Sequence, residues 1–500
     1  MCCCCNCSNL TKKVWSFVGV VLIFGLAAFF GFGLPAIVES VARSEFIMEP
    51  GSQVYDNWLT SEVPKYLDIY VWDWKNPESI TNENVRPQFV ERGPYVFLED
   101  HERHDIEFNT DHSITFRQKR TWTYIPEQSK GDFYTDRVTT PHTMLMTIAK
   151  LVGGGNPALV SQLNAIIKKN NLLDGIVYKD ALVRDILFDG AEDRLLAAVQ
   201  ILAGAIPELA AGMDIPDWDG FAYFADRNTS VEYDGIFRMG TGTDQWTDSG
   251  LLRTWNNEST VPHFRGECGK VHGSTGQVNP PMTSQQIKNP EDFILFITDV
   301  CSAFSLKYDQ DVEFGGVDGK AWIGDDRVFD NGNNYLETEC QCTAPVAECP
   351  AVKPGVLDLS GCKFGAPLLA SFPHFYLADP SYVSALDGPK PTRELHEFRY
   401  VMHPFSGIPL EVNGRLQYNL HVSDYGLEAT EGLPDITLPV FWVNQRVTLT
   451  QEKIDDLRAL DTLRSAGIYT GYALLGVGII ALGVALYFSI FVWKDSKINV

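Results

Sequence analysis

Short catalytic signatures are missing from this chain. No G-x-S-x-G nucleophile elbow occurs, which removes the usual frame for acyl transfer by a serine. The glycine-rich stretches Gly240–Thr243 and Gly273–Gly276 are not followed by Lys-Ser/Thr, so neither reads as a phosphate loop, and a nucleotidase is unsupported. His101-Glu-Arg-His104 lacks the HExxH spacing that puts two imidazoles on one helix face, and it reads as surface histidines beside a strand. Positive charge is also scarce. Lysine and arginine number 40 against 64 aspartates and glutamates, a net charge of −24. A surface this acidic excludes non-specific binding to nucleic acid or anionic membrane, and any anionic ligand needs a local basic patch. Charge of either sign is absent from two long runs, Val14–Leu34 and Ile468–Val492. Ion paths through membranes normally carry ionisable groups, so a two-helix channel is disfavoured. Internal repeats and low-complexity linkers are lacking as well.

The two uncharged runs organise the chain. They hold 21 and 25 residues, each enough to cross a hydrocarbon core of about 30 Å. Lys12 and Lys13 precede the first, and Lys494 and Lys497 follow the second. The positive-inside bias predicts both tails in the cytosol and the large central domain outside or in a lumen. The first run exceeds a usual signal-peptide core and has no small-x-small site before Glu39, so an uncleaved anchor is predicted. The expected layout is a tail over 1–13, a membrane helix over 14–34, an ectodomain over 35–467, a second membrane helix over 468–492 and a tail over 493–500. Ala27 and Gly31, four apart in the first helix, are a small-residue pair that could support a homo-oligomer.

Cysteine usage agrees with this topology. Six cysteines lie between the helices: Cys268, Cys301, Cys340, Cys342, Cys349 and Cys362. An even number in one cluster reads as a disulfide framework in an oxidising compartment, with fifteen pairings open to six cysteines. Asn228 and Asn257 begin N-x-S/T sequons on the same side. Cys2, Cys3, Cys4, Cys5 and Cys7 form a separate group beside the first helix. No histidine joins them and their spacing fits no zinc site, so they are palmitoylation candidates. No metal or cofactor is called for.

Periodicity divides the ectodomain. Tyr66–Trp74, Pro94–Leu98 and Ser113–Ile125 are strand-like, rich in aromatic and β-branched residues. From Pro141 to Ile206 the period turns helical. Leu159, Val160, Leu163, Ile166 and Ile167 make an apolar stripe after Asn156-Pro157, and Lys179–Phe188 and Glu192–Ile206 give two further helical segments. Strands return after Pro216. The stretch Val317–Pro367 is rich in glycine, asparagine, proline and cysteine, and alternation resumes over Glu397–Leu449.

Along this frame runs a set of motifs: Tyr55–Trp58 (YDNW), Arg92–Tyr95 (RGPY), Asp299–Cys301 (DVC), Cys340–Cys342 (CQC), Gly355–Cys362 (GVLDLSGC), Phe372–Phe375 (FPHF) and Leu438–Trp442 (LPVFW). In order and cysteine spacing the chain resembles the class B scavenger receptor family, which includes the fatty-acid translocase, the high-density-lipoprotein receptor and a lysosomal integral membrane protein. The resemblance spans essentially the whole chain. It implies an α+β fold, with two terminal membrane helices around a β-rich, antiparallel, barrel-like ectodomain. It also implies an apical helical bundle (141–206), an internal hydrophobic tunnel, and the pairs Cys268–Cys340, Cys301–Cys362 and Cys342–Cys349 within a disulfide region over 268–362.

The implied function is that of a plasma-membrane receptor, not an enzyme. It would bind lipoproteins, fatty acids, sterols or phospholipids and pass lipid to the bilayer. Lys168 and Lys169 match a basic apical cluster that similar receptors use for anionic ligands. The plainer reading is cationic charge at a helix C-terminus; from Pro141 to Arg194 six basic residues face six acidic ones. The alternatives are a lysosomal or endosomal receptor that sorts a lumenal protein, or a chemosensory lipid receptor. The last seven residues lack an acidic-x-x-x-Leu-Leu/Ile sorting signal, which disfavours the lysosome. They also lack cysteine, a departure from the fatty-acid translocase.

Overall fold

The computed structural model describes residues 8–60, 63–155, 157–203 and 218–493. The cysteines at 2, 3, 4, 5 and 7 and the last seven residues lie outside them. The chain divides into a helical unit, made of 1–45, 313–317 and 450–500, and a β unit made of 46–312 and 318–449.

In the helical unit, Asn9–Ala28 is an α-helix whose first turn is capped by the Ser8 hydroxyl, which accepts from the Thr11 N–H at 3.2 Å. A π-helical turn over Phe29–Gly33 leads into the helix Leu34–Glu45. The second long helix, Gln451–Tyr487, ends in another π-helical turn, Phe488–Val492. Both helices are longer than their apolar runs and continue into charged sequence. Both are long and apolar enough to cross a membrane, and large apolar side chains such as Phe32 and Tyr469 are exposed on their surfaces.

The two helices meet through glycines. A side chain at Gly471 would overlap the backbone of Gly31 and come within 3.0 Å of the Ala27 carbonyl. Gly467 and Gly478 likewise lie against Leu34 and Phe24. The small pair Ala27 and Gly31 is therefore occupied inside the same chain. Lipid tails supply no hydrophobic drive between helices, so close backbone approach provides the attraction. Gly471→Leu is expected to cost about 1–3 kcal/mol and to lower the melting temperature of the solubilised protein. Gly476→Leu, where a side chain meets nothing within 4 Å, is the control; equal melts for the two variants would show that the pair does not depend on this contact.

The β unit is a 13-stranded antiparallel sheet. Its path runs Leu252–Trp255, Ile236–Gly240, Ser113–Tyr124, Phe89–Phe108, Lys65–Trp74, Ile436–Thr448, Pro409–Val422, Arg399–Met402, Val317–Ile323, Ser302–Phe314 and Phe293–Ile297. The short strands Leu357–Asp358 and Leu368–Ser371 branch from Pro409–Val422. The two ends of the path are stitched by one loop. Ser274 bridges Leu251 on one side and Leu295 on the other, and Leu252 N–H donates to Gly273 O at 2.8 Å. The sheet is thus nearly closed, which removes most of its exposed edge. Its core holds Trp72, Trp74, Tyr95, Trp322, Phe372 and Tyr400, all fully buried.

The segment after Pro141 is mixed. Helices Thr143–Gly153, Pro157–Asn170 and Arg194–Ala203 form. Asn156 and the end of the expected Glu192–Ile206 helix fall outside the described residues. Lys179–Phe188 is helical only in its second half: Val177–Leu182 is a strand paired with Arg137–Pro141, and a helical turn follows that is π-helical over Asp185–Asp189. Strand pairing overrides the helical spacing of its apolar residues, and Tyr178 from this strand donates to Asp193 at 2.7 Å.

Candidate functional site

Four groups of residues carry the chemistry of the β unit. The first is the helical segment. Lys168 and Lys169 end the helix Pro157–Asn170 and are exposed. Lys168 Nζ lies 3.2 Å from Glu428 Oε1, and Asn164 accepts the Glu428 backbone N–H at 3.1 Å. The helix is therefore tied to the turn Glu428–Thr430, and part of the Lys168 charge is already answered by a carboxylate. An exposed pair of this kind is weak and exchanges readily with a competing anion. Gly153 ends the first helix directly against the Tyr425 backbone, leaving no room for a side chain.

The second group is the cysteines. Disulfides join Cys268 to Cys340, Cys301 to Cys362 and Cys342 to Cys349, with Cα separations of 5.6, 6.6 and 5.9 Å. His263 lies beside Cys301 and Cys362, but sulfurs bonded to each other offer no thiolate to a metal. Asn257 is exposed at a tight turn with φ of 65°. Asn228 is exposed too, and its side-chain oxygen accepts the Trp122 N–H at 2.9 Å.

The third group gathers the FPHF and LPVFW motifs around one carboxylate. Glu91 accepts from His374 Nε2 at 2.7 Å and from the Trp442 indole N–H at 2.8 Å. His374 stacks on His396 with ring centres 4.0 Å apart. Their Nδ1 atoms accept the backbone N–H groups of Lys390 and Thr392, both at 2.9 Å. Both rings are thereby fixed as the Nε2–H tautomer. Burial, then the neighbouring His374, pushes His396 down to about 3. Burial alone would raise Glu91, but the His374 and Trp442 hydrogen bonds reverse it and hold it below the usual carboxylate range.

The fourth group was not legible in the sequence. His101 is buried, not a surface histidine; it pairs with Glu99, two residues away on the same face of the strand Phe89–Phe108. Trp122 donates to the other Glu99 oxygen at 2.8 Å. Burial pushes His101 down to about 4 against the pull of Glu99. Around them lie Arg120 and Arg227, which share Asp234 and Asp299: Arg120 Nε is 2.6 Å from Asp234, and Arg227 Nη1 is 2.6 Å from Asp299. Arg103 is buried beside them. An open cleft of about 510 Å³ lies elsewhere, among Asp309, Arg393, Glu397, Arg399, Glu411 and Arg415. Its charged lining is unlike that of an acyl-chain site.

A disulfide-stapled, nearly closed antiparallel sheet, carried by a chain with a membrane-length helix near each end, defines a membrane-anchored β protein. The particular family follows from comparison with known proteins. The chain belongs to the CD36 family, whose family model matches residues 17–489. It is 30% identical to Protein peste of Drosophila melanogaster, over 86% of this chain and 75% of that protein. It is 26% identical to Scavenger receptor class B member 1 of Sus scrofa, over 96% of this chain and 91% of that one. Sensory neuron membrane protein 1 of Apis mellifera is 25% identical, over 95% and 91% respectively.

Proposed function

We propose that this protein is a cell-surface scavenger receptor that captures lipoproteins, fatty acids or other anionic lipid ligands and delivers lipid to the bilayer through an apolar tunnel in its β unit. The observation that carries this reading is the chain-long match to the CD36 family and to scavenger receptors class B. The nearly closed sheet with its aromatic interior supports it. In the proposed topology both tails are cytoplasmic, the β unit is extracellular, Asn228 and Asn257 carry glycans, and the cysteines at 2, 3, 4, 5 and 7 carry palmitate. The segment 141–206 forms the membrane-distal apex, with Lys168 and Lys169 as the first contact for anionic particles. A second reading, a chemosensory lipid receptor, is favoured by the likeness to Sensory neuron membrane protein 1.

The double substitution Lys168→Glu/Lys169→Glu tests the apical role. At matched surface levels, uptake of labelled lipid from lipoprotein particles is expected to fall several-fold. The reversed charges repel the anionic particle, and Glu428 then faces a like charge. Unchanged uptake would move the particle contact away from this helix.

A further inference from the structure

One cavity of the β unit has no part in the lipid reading. The open cleft of about 510 Å³ beside the short helix Arg393–His396 is lined by nine residues, none of them aliphatic or aromatic. It offers no apolar wall to an acyl chain or a sterol. Four of the nine are carboxylates and three are guanidiniums, with Gln310 and Asn413 as neutral amides. The sheet puts the two signs side by side. Glu411, Asn413 and Arg415 alternate along the strand Pro409–Val422 and so share one face. Arg399, on the neighbouring strand, is paired in register with Asn413.

Hydrogen-bonding capacity of both signs is left over in this cleft. Arg393 is satisfied: its Nε lies 2.7 Å from Glu397 Oε1 and its Nη2 3.3 Å from Asp309. Arg399 is not. Its ion pairs with Asp309 and Glu411 are both stretched to 3.8 Å, and it makes no hydrogen bond among the described residues. Arg415 spends Nη1 on the backbone carbonyls of Glu394 and Glu397, both at 3.1 Å, and among the described residues no carboxylate lies within ion-pair distance of it. On the acidic side, Glu411 holds only the Asn413 amide at 3.1 Å and the distant Arg399. Burial moves the two signs in opposite directions. It raises Glu397 above the usual carboxylate range, although Arg393 opposes it. It lowers Arg415, although Tyr70 and Glu411 pull it up. Within one cavity, an acid is short of a cation and a base is short of an anion. A simple anion would meet the carboxylates here and a simple cation the guanidiniums, whereas a zwitterion complements both.

We infer that this cleft is a binding site for a free polar α-amino acid, its carboxylate held by Arg399 and its ammonium by Glu411. At 3.8 Å the two groups are close enough to serve two charges carried on one carbon, yet too far apart to satisfy each other. The planar guanidinium takes both oxygens of a carboxylate in parallel. Arg415, Glu397 and the two amides remain for a polar side chain, and the missing apolar wall disfavours leucine or phenylalanine. The site goes beyond the lipid-receptor reading and does not rest on it.

The test uses full-length protein in detergent at pH 7 and equilibrium dialysis of radiolabelled glutamine, with N-acetylglutamine and glutaminamide as competitors. The first lacks the ammonium and the second the carboxylate. Each blocked form is expected to bind at least about tenfold more weakly than glutamine, the value of one charge-assisted hydrogen-bonded contact. Arg399→Gln is expected to weaken glutamine about tenfold and to leave glutaminamide within about twofold of wild type. Glu411→Gln is expected to weaken glutamine to a similar degree and to spare N-acetylglutamine instead. This crossed pattern separates direct contact from a general loosening of the cleft, which would weaken all three compounds alike and overturn the assignment. A thermal melt checks that each variant folds, and should Arg399→Gln fail, Glu411→Gln carries the test. Wild-type protein that binds N-acetylglutamine or glutaminamide as tightly as glutamine would make this a plain anion or cation site and overturn the inference. So would the absence of glutamine binding at millimolar concentration.

Discussion

Replacing Cys301 and Cys362 together by serine is expected to lower the stability of the β unit by about 4 kcal/mol, the chain-entropy value for a loop of this length. The two cysteines are 61 residues apart in sequence. Their bridge ties the turn after the strand Phe293–Ile297 to the segment that precedes Leu368–Ser371. Cys301 is buried and stands two residues from Asp299, the partner of Arg227. Loss of the bridge therefore loosens both a long loop and one corner of the buried ion-pair network. The measurement is surface biotinylation together with a thermal melt of the solubilised protein, and most of the variant is expected to stay inside the cell. Cys342→Ser/Cys349→Ser is the comparison, since those residues are 7 apart and the same argument gives about 2 kcal/mol. Equal effects from the two pairs would mean that loop length does not govern the loss.

Acid is expected to destabilise the β unit sharply between pH 6.5 and 4. His101 is held at about 4 and His396 at about 3, each first by burial. An unfolded chain titrates its histidines near 6.5, so within this window the unfolded state binds more protons and stability falls as pH falls. Glu91 and Glu99 act in the same direction. Burial opposes it, yet both are held below the usual carboxylate range, Glu91 by its hydrogen bonds from His374 and Trp442 and Glu99 first by the charge of His101 and then by its hydrogen bond. Their contribution is full above the unfolded carboxylate pKa and is lost as pH drops through the folded value. Together these groups amount to several kcal/mol. At the His374–His396 stack the loss has a definite structural outcome. A proton on either Nδ1 would oppose the backbone N–H of Lys390 or Thr392, so the segment around Arg393–His396 must open. Melting temperature against pH checks this. A flat profile from pH 7 to 4.5 would contradict it, and His396→Gln should flatten the curve if this stack is a main contributor.

Sequence pattern shows the large divisions of this fold because those divisions rest on strong, local signals. Uncharged runs of membrane length mark the two long helices. Aromatic and β-branched alternation marks Lys65–Trp74 and Ser113–Tyr124. The stripe from Leu159 to Ile167 marks the helix Pro157–Asn170. Signals fail where tertiary pairing decides. Val177–Leu182 carries helical spacing yet pairs with Arg137–Pro141, forty residues earlier. The strand Phe89–Phe108 shows its apolar face at Tyr95 and Phe97 but hides it beyond Leu98. From Glu99 to His104 every residue is polar or charged, so no hydrophobic alternation exists; only burial alternates, with Glu99, His101 and Arg103 inside.

The motifs that carry the family resemblance are legible as strings, but their joint purpose is not. Nothing in FPHF or LPVFW says that His374 and Trp442 meet on Glu91, which lies in neither motif. The small pair Ala27 and Gly31 was legible as a packing face, while its partner, Gly471, lies more than four hundred residues away in sequence.

The most direct test of the central claim is lipid uptake by cells that express the full-length chain, with labelled lipid supplied in lipoprotein particles and surface protein quantified in parallel. The account predicts uptake well above mock-transfected cells, saturable with particle concentration and competed by excess unlabelled fatty acid–albumin complex. Uptake equal to mock cells, with the protein present and folded at the surface, would contradict it.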